Sequence, residues 1–161
     1  MKNAIYPGSF DPVTIGHLNI IRRASEIFDK LTVCVMVNAG KNPMFSLEER
    51  VDLIKRVTRD LPNVEVDFSG ELLAEYARKK GKCVIVKGLR AGSDFENEFQ
   101  MAMINHTLNP DLDTMFLTAE HQYTYLSSSM VKELGRYGVD LTDFLPEEII
   151  PDFQRKIQDR L

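Results

Sequence analysis

A chain of 161 residues, 43% hydrophobic and 27% charged, has the length for one domain (1–161) with a sizeable core and the composition of a soluble globular protein. Twenty basic and 24 acidic residues leave a net charge of −4 with no basic block, which argues against a nucleic-acid polymer as partner. No signal-peptide pattern or membrane-length apolar run occurs, and the two isolated cysteines suit a reducing compartment, so a cytoplasmic protein without membrane contact is expected.

In chain order, the first strand (about residues 3–6) runs into Pro7-Gly8-Ser9-Phe10-Asp11-Pro12. Neither strand nor helix is expected to continue through those prolines, and Gly8 and Gly16 are expected to take conformations or close approaches that a Cβ would block. Thr14 is a plausible N-cap for a helix with an apolar stripe at Ile20, Ile21, Ala24, Ile27 and Phe28. Stepping back along that stripe lands on His17, which would lie above the sheet edge where the strand ends. An imidazole there could simply pack or cap the helix. The turn rich in Pro and Gly that leads into it favours a role in anion binding, with Ser9 as a second side-chain donor.

The second strand, 31–37, is apolar nearly throughout, as a strand covered on both faces should be. A loop bearing Lys41 follows, then a helix from 47 to about 59 with Ser46 and Glu49 as its capping box. A short third strand (64–68) leads to a helix from 71 to about 80 that Gly81 stops. The fourth strand, 83–87, opens into a second glycine-bearing loop, 87–94, with Arg90 between Gly88 and Gly92. The next helix, 95 to about 108, carries Phe95, Phe99, Ala102, Met103 and His106 at helical spacing. Met101 and Ile104 widen its apolar surface enough to suggest contact with a second subunit. A fifth strand near 114–118, a helix opened by Ser127, Ser128 and Ser129, and a final helix after Pro146 complete the chain. Cys34 and Cys83 sit in strand-like runs and read as small buried hydrophobes.

This alternation argues for an α/β fold with an open, parallel, five-stranded sheet and helices on both faces. Ligands of such sheets bind beyond the carboxyl ends of the strands where strand order reverses. The loops after the first and fourth strands carry the informative residues, so those strands are expected side by side at the reversal. The dinucleotide fingerprint, the P-loop, zinc-ligand spacing and the nucleophile elbow are all absent. What remains is a phosphate-oriented set: Ser9, His17, Lys41, Lys87, Arg90 and the serine run. Such a set can align two phosphate groups and compensate their charge without a covalent nucleophile.

Pro7-Gly8-Ser9-Phe10-Asp11-Pro12 followed by Thr14-x-Gly16-His17 resembles the signature of the nucleotidyltransferase superfamily with an H/T-x-G-H motif. Three further blocks narrow it: Lys41-x-Pro43-Met44-Phe45-Ser46-Leu47-Glu48-Glu49-Arg50, Gly88-Leu89-Arg90-Ala91-x-x-Asp94-Phe95-Glu96-x-Glu98, and Ser127-Ser128-Ser129-x-Val131-Lys132-Glu133. Together, over essentially the full chain, they resemble the bacterial phosphopantetheine adenylyltransferase family. The resemblance implies a Rossmann-like sheet, Mg²⁺ as cofactor with ligands unknown, and reversible adenylyl transfer from ATP to 4′-phosphopantetheine. It further implies a homohexamer and feedback inhibition by coenzyme A. By the same resemblance His17 stabilises the transition state, and Lys41 and Arg90 assist catalysis. ATP contacts fall to Ser9, Phe10, His17, Gly88, Leu89, Arg90, Glu98, Tyr123, Thr124, Tyr125, Leu126, Ser127, Ser128 and Ser129, and phosphopantetheine contacts to Ser9, Lys41, Leu73 and Lys87. Three departures stand out: Ser9 where many relatives have Thr, Lys87 where many have Arg, and Asn42 where some have Lys. The rival readings are a small nucleotidyltransferase with another acceptor, such as nicotinamide mononucleotide or glycerol phosphate, and a non-catalytic ATP-binding sensor.

Overall fold

The computed structural model of the protein describes residues 1–92 and 94–160; Ser93, within the loop expected over 87–94, and Leu161 lie outside the described residues. Strand and helix alternate as β1 (Asn3–Gly8), α1 (Ile15–Ile27), β2 (Lys30–Met36), α2 (Leu47–Val57), β3 (Val64–Ser69), α3 (Leu73–Lys80), β4 (Val84–Leu89), α4 (Asp94–Leu108) and β5 (Asp113–Thr118). A 3-10 turn (His121–Tyr123) then leads to α5 (Ser128–Arg136), and a second (Glu147–Ile149) runs into α6 (Ile150–Gln158). The five strands form one parallel sheet in the order β3-β2-β1-β4-β5, so the reversal falls between β1 and β4 as expected.

Alternation along the strands divides the core. Ala4, Tyr6, Leu31, Val33, Val35 and Val86 face α1, α2, α5 and α6, whereas Ile5, Cys34 and Ile85 face the side covered by α3. Both cysteines are free and buried. Ser46 and Glu49 close their capping box in both directions, at 3.1 and 2.8 Å, and Gly81 ends α3 at φ 86°.

Four expectations need correction. β1 continues through Pro7 to Gly8. Past Ile5 it has lost β4 as a partner and pairs with β2 alone, so Pro7 stands at a sheet edge, where a missing donor is tolerated. Ile27 is 46% exposed and leaves the apolar stripe to Ile20, Ile21, Ala24 and, at the C-cap, the buried Phe28. α3 starts at Leu73, because Leu72 before it has an extended backbone (φ −58°, ψ 137°). Gly16 neither takes a positive φ nor stands in a tight approach, since a Cβ there would meet nothing nearer than 3.4 Å. Gly8 keeps the close approach expected of it, against the Phe10 ring, and the positive φ falls on Phe10 itself, at 48°. The α4 helix is the outlier in packing: Phe95, Phe99, Met101, Met103, Ile104 and Leu108 are each about half exposed.

Candidate active site

β1 pairs with β4 only at Ala4 and Ile5, opposite Val84 and Ile85. β2 and β5 hold their partners to the strand ends, out to Gly8↔Val35 and Leu89↔Thr118. The halves of the sheet therefore part at the carboxyl ends of β1 and β4, and a cavity of about 810 Å³ opens there. Its size suits a ligand of nucleotide dimensions. Turn 8–17, loop 36–43, the end of β4, the first turns of α4 and the segment 119–132 contribute to its wall.

The turn after β1 is built around Phe10. Its left-handed backbone tucks the ring into the core at 1% exposure, edge-on to Tyr6 (5.2 Å) and to His17 (5.0 Å). A Cβ on Gly8 would stand 3.1 Å from that ring, a tight approach. The Asp11–Pro12 peptide is cis. Thr14 caps α1 by accepting the His17 N–H at 3.2 Å, and the Thr14 N–H donates to His17 Nδ1 at 3.0 Å. The imidazole thus fills the place that a glutamate usually takes in a capping box.

This cap decides the chemistry of the ring. Nδ1 accepts a hydrogen bond, so in the neutral imidazole the proton resides on Nε2. Burial, with smaller contributions from the positive charges of Lys87 and Arg90, holds the His17 pKa down at about 3. At neutral pH the ring is therefore an uncharged Nε2–H donor in the cavity wall.

On the β2 side, residues 37–42 are exposed and Lys41 has no side-chain partner among the described residues. The loop re-enters the core at Met44 and Phe45, whose N–H groups donate to the two oxygens of Asp11, each at 2.8 Å. Asp11, 5% exposed, also accepts from Lys132 Nζ at 2.9 Å. Burial alone would raise its pKa, but those two N–H groups and the Lys132 ammonium outweigh it and hold the carboxyl below its usual range. Arg50, equally buried, donates to the carbonyls of Ser9 (3.1 Å) and Ser46 (3.4 Å).

The β4 side carries its cations in pairs. Lys87 Nζ lies 3.6 Å from Glu98. Arg90 Nε lies 3.6 Å from Asp94, and its Nη1 donates to the Leu126 carbonyl at 3.0 Å. Gly88 lets α1 approach: a Cβ there would meet Ile20 at 3.1 Å. Ser127 caps α5 through the Met130 N–H, and the Ser128 hydroxyl donates to the Pro12 carbonyl at 2.8 Å. The hydroxyls of Ser9 and Ser129 make no hydrogen bond among the described residues. Five cations (Lys41, Arg50, Lys87, Arg90, Lys132) against three carboxylates (Asp11, Asp94, Glu98) make the described wall positive in an acidic chain.

Ser9, Phe10, His17, Lys41, Lys87, Gly88, Arg90, Glu98, Tyr123, Leu126, Ser127, Ser128 and Ser129 thus line one cavity. Leu73, Leu89, Thr124 and Tyr125 do not line it. Leu73 packs with the core under α3, Leu89 accepts the Ala119 N–H at the strand end, Thr124 hydrogen-bonds within its own 3-10 turn, and Tyr125 is 80% exposed. Sequence reasoning gave no role to Asp11, Arg50, Asp94 or Lys132. All four stand inside the family blocks, which was the signal available; what was missing was the partner of each.

The chain matches the cytidylyltransferase-like family model over residues 5–134. It is 52% identical over 158 residues to a phosphopantetheine adenylyltransferase of Caldanaerobacter subterraneus, covering 98% of this chain and 99% of the relative. The figure is again 52% over 157 residues for the Clostridium botulinum enzyme of that name, covering 98% and 96%. In fold it resembles a bifunctional NMN adenylyltransferase/ADP ribose pyrophosphatase of Francisella tularensis solved with AMP and a manganese ion. There the TM-score is 0.73 at 16% identity, over 98% of this chain and 49% of that one. Matched in this way over nearly its whole length, the chain belongs to the cytidylyltransferase-like family and, within it, to the phosphopantetheine adenylyltransferases.

Proposed function

We propose that the protein transfers the adenylyl group of ATP reversibly to 4′-phosphopantetheine, giving dephospho-coenzyme A and pyrophosphate. The observation that carries the reading is the convergence of four separate sequence blocks on one positive cavity, with the acceptor inferred from the relatives' shared name. A phosphate monoester is mostly dianionic at neutral pH, its second pKa being about 6, so the acceptor needs no base to become a nucleophile. One of its oxygens attacks the α-phosphorus in line, the bond from that phosphorus to the bridging oxygen breaks, and pyrophosphate leaves with the bonding pair.

The protein's task is then alignment and charge compensation. The Nε2–H of His17 donates to an α-phosphate oxygen as charge shifts in the transition state. Lys41, on its exposed loop, draws in the attacking phosphate, with Lys87 on the same substrate. Arg90 and the Ser127, Ser128 and Ser129 turn engage the nucleotide, with Glu98 beside them. With its ring buried, Phe10 can serve the nucleotide through its main chain.

Mg²⁺ supplies charge neutralisation on the polyphosphate when bound. Among the described residues no group of three or more His, Cys, Asp or Glu could hold a metal ion, and the three cavity carboxylates already face cations. This donor set suits an ion carried by the phosphates of ATP better than a protein cage, as Mg²⁺ commonly is. The half-exposed apolar face of α4 supports a homo-oligomer, a hexamer by family. Coenzyme A as feedback inhibitor would occupy the same cavity, and the cytoplasm remains our proposal for location.

Pyrophosphate release, measured with ATP and each acceptor in turn, with and without Mg²⁺, tests the reading. Turnover with phosphopantetheine is expected. Turnover only with nicotinamide mononucleotide or glycerol phosphate would replace the acceptor, and nucleotide binding without any turnover would favour a sensor.

A further inference from the structure

We propose that Asp11 is a positioning residue for the acceptor side of the cavity: its buried carboxylate fastens the loop that carries Lys41 to the turn that carries His17. The proposal rests on Lys41 being the cation that meets the attacking phosphate.

The loop has two stems. At the first, the Val37 N–H donates to the Ser69 carbonyl at 2.8 Å, which ties the chain to β3. At the second, Met44 and Phe45 donate to Asp11. Between them Lys41 is exposed, and no side-chain contact among the described residues holds its ammonium in place. Its location relative to His17 is thus set by its stems: the first reaches the turn through the pairing of Val35 with Gly8, and the second, which Arg160 also holds through the Pro43 and Met44 carbonyls, reaches it through the Asp11 carboxylate.

Asp11 itself has little freedom. It follows Phe10, whose ring is locked in the core, and precedes Pro12, whose carbonyl accepts the Ser128 hydroxyl. Its oxygens face three donors: two main-chain N–H groups, each with one oxygen, and Lys132, from an element 121 positions away, which shares the oxygen that Met44 uses. An ionised carboxylate is acceptor-only and satisfies all three. An amide in its place would turn its NH₂ against at least one of them and leave a buried donor without a partner.

The test is a double-mutant cycle in the full chain, with kinetics for each substrate separately. Asp11→Asn is expected to lower kcat/KM for phosphopantetheine by about tenfold or more while moving the KM for ATP less than about twofold. In a Lys41→Ala background the same change is expected to cost little more, because the loop it fastens no longer carries the cation. An equal loss for both substrates, or a full second loss in the Lys41→Ala background, overturns the proposal. If Lys41→Ala itself weakens ATP and acceptor alike, the reading of Lys41 falls, and the proposal with it. If Lys41→Ala is acceptor-selective but the losses add, only the role of Asp11 falls. Should Asp11→Asn fail to fold, two glycines inserted between Asn42 and Pro43 leave the carboxylate's bonds in place and slacken the tether. They are expected to reproduce the acceptor-selective loss, and unchanged acceptor kinetics would overturn the proposal.

Discussion

The two walls of the cavity are prepared in different ways. On the wall from β1 to α1 the key group is neutral, and its hydrogen bond to the Thr14 N–H fixes its tautomer before any substrate arrives. On the wall from β4 to α4 the key groups are charged and face carboxylates at 3.6 Å, longer than a strong charge-assisted hydrogen bond. The first wall offers a donor that needs no rearrangement. The second offers cations whose partners can yield to an incoming phosphate, and which leave a carboxylate behind if removed. A transition-state donor gains most from being immobile, whereas a binding cation can be loosely compensated until its ligand comes.

The largest expected effect tests the fixed wall. His17→Ala removes the Nε2–H donor and leaves the core face of α1 intact at Ile20, Ile21 and Ala24. We expect kcat to fall on the order of 10²–10³-fold with the KM for ATP nearly unchanged, the pattern of an interaction made in the transition state alone. A rise in KM at constant kcat would mean that the ring binds the ground state equally well. The contrast between the walls would then disappear.

A smaller effect, about tenfold in kcat/KM, is expected when the compensated wall is disturbed by Lys87→Ala. Part of that loss arises because Glu98 would then face the phosphates alone. Adding Glu98→Gln should therefore recover some of it, in assays that resolve the two substrates. If Glu98→Gln deepens the loss in the Lys87→Ala background instead, the carboxylate serves the nucleotide directly and the pair is not a resting-state compensation.

The same contrast explains what could be read without the fold. Apolar patterning and the turn residues between segments located every strand and main helix, because burial on one or both sheet faces imposes the pattern: β2 is apolar nearly throughout since Leu31, Val33 and Val35 face one side and Cys34 the other. The reversal between β1 and β4 was legible because glycine-bearing loops with donors followed those two strands. Local chemistry also gave the Thr14 and Ser46 caps. Asp11 with Lys132 and Arg50 with Ser9 were not legible, since their partners lie 121 and 41 positions apart and no local preference joins them. The left-handed backbone at Phe10 escaped notice for another reason. Flanking glycines were the natural candidates for it, and only the packing of the ring against Tyr6 and His17 compensates a bulky residue there.

The smallest expected effect is on stability, and it tests whether the fixed wall is set in advance. An unfolded chain takes up a proton on His17 near its ordinary value of 6.5, whereas the folded protein resists until about pH 3, first because of burial and then because of Lys87 and Arg90. Between those values the unfolded state binds more protons, so stability falls as the pH is lowered, by at most about 1.4 kcal/mol per pH unit. The depressed carboxyls, among them Asp11 and Asp152 together with Glu49 and Glu65, act in the same direction, but their contribution begins to be lost only below about pH 5. The interval from about pH 6.5 to about pH 5 therefore isolates the imidazole. Urea midpoints of the wild type should drop across it, while those of His17→Gln, which carries no titrating ring, should drop less. Parallel curves would mean that the ring gains its proton as easily in the folded protein as in the unfolded chain. Its Nδ1 would then be no fixed acceptor for Thr14, and the donor facing the cavity would be charged, like Lys87 and Arg90 opposite.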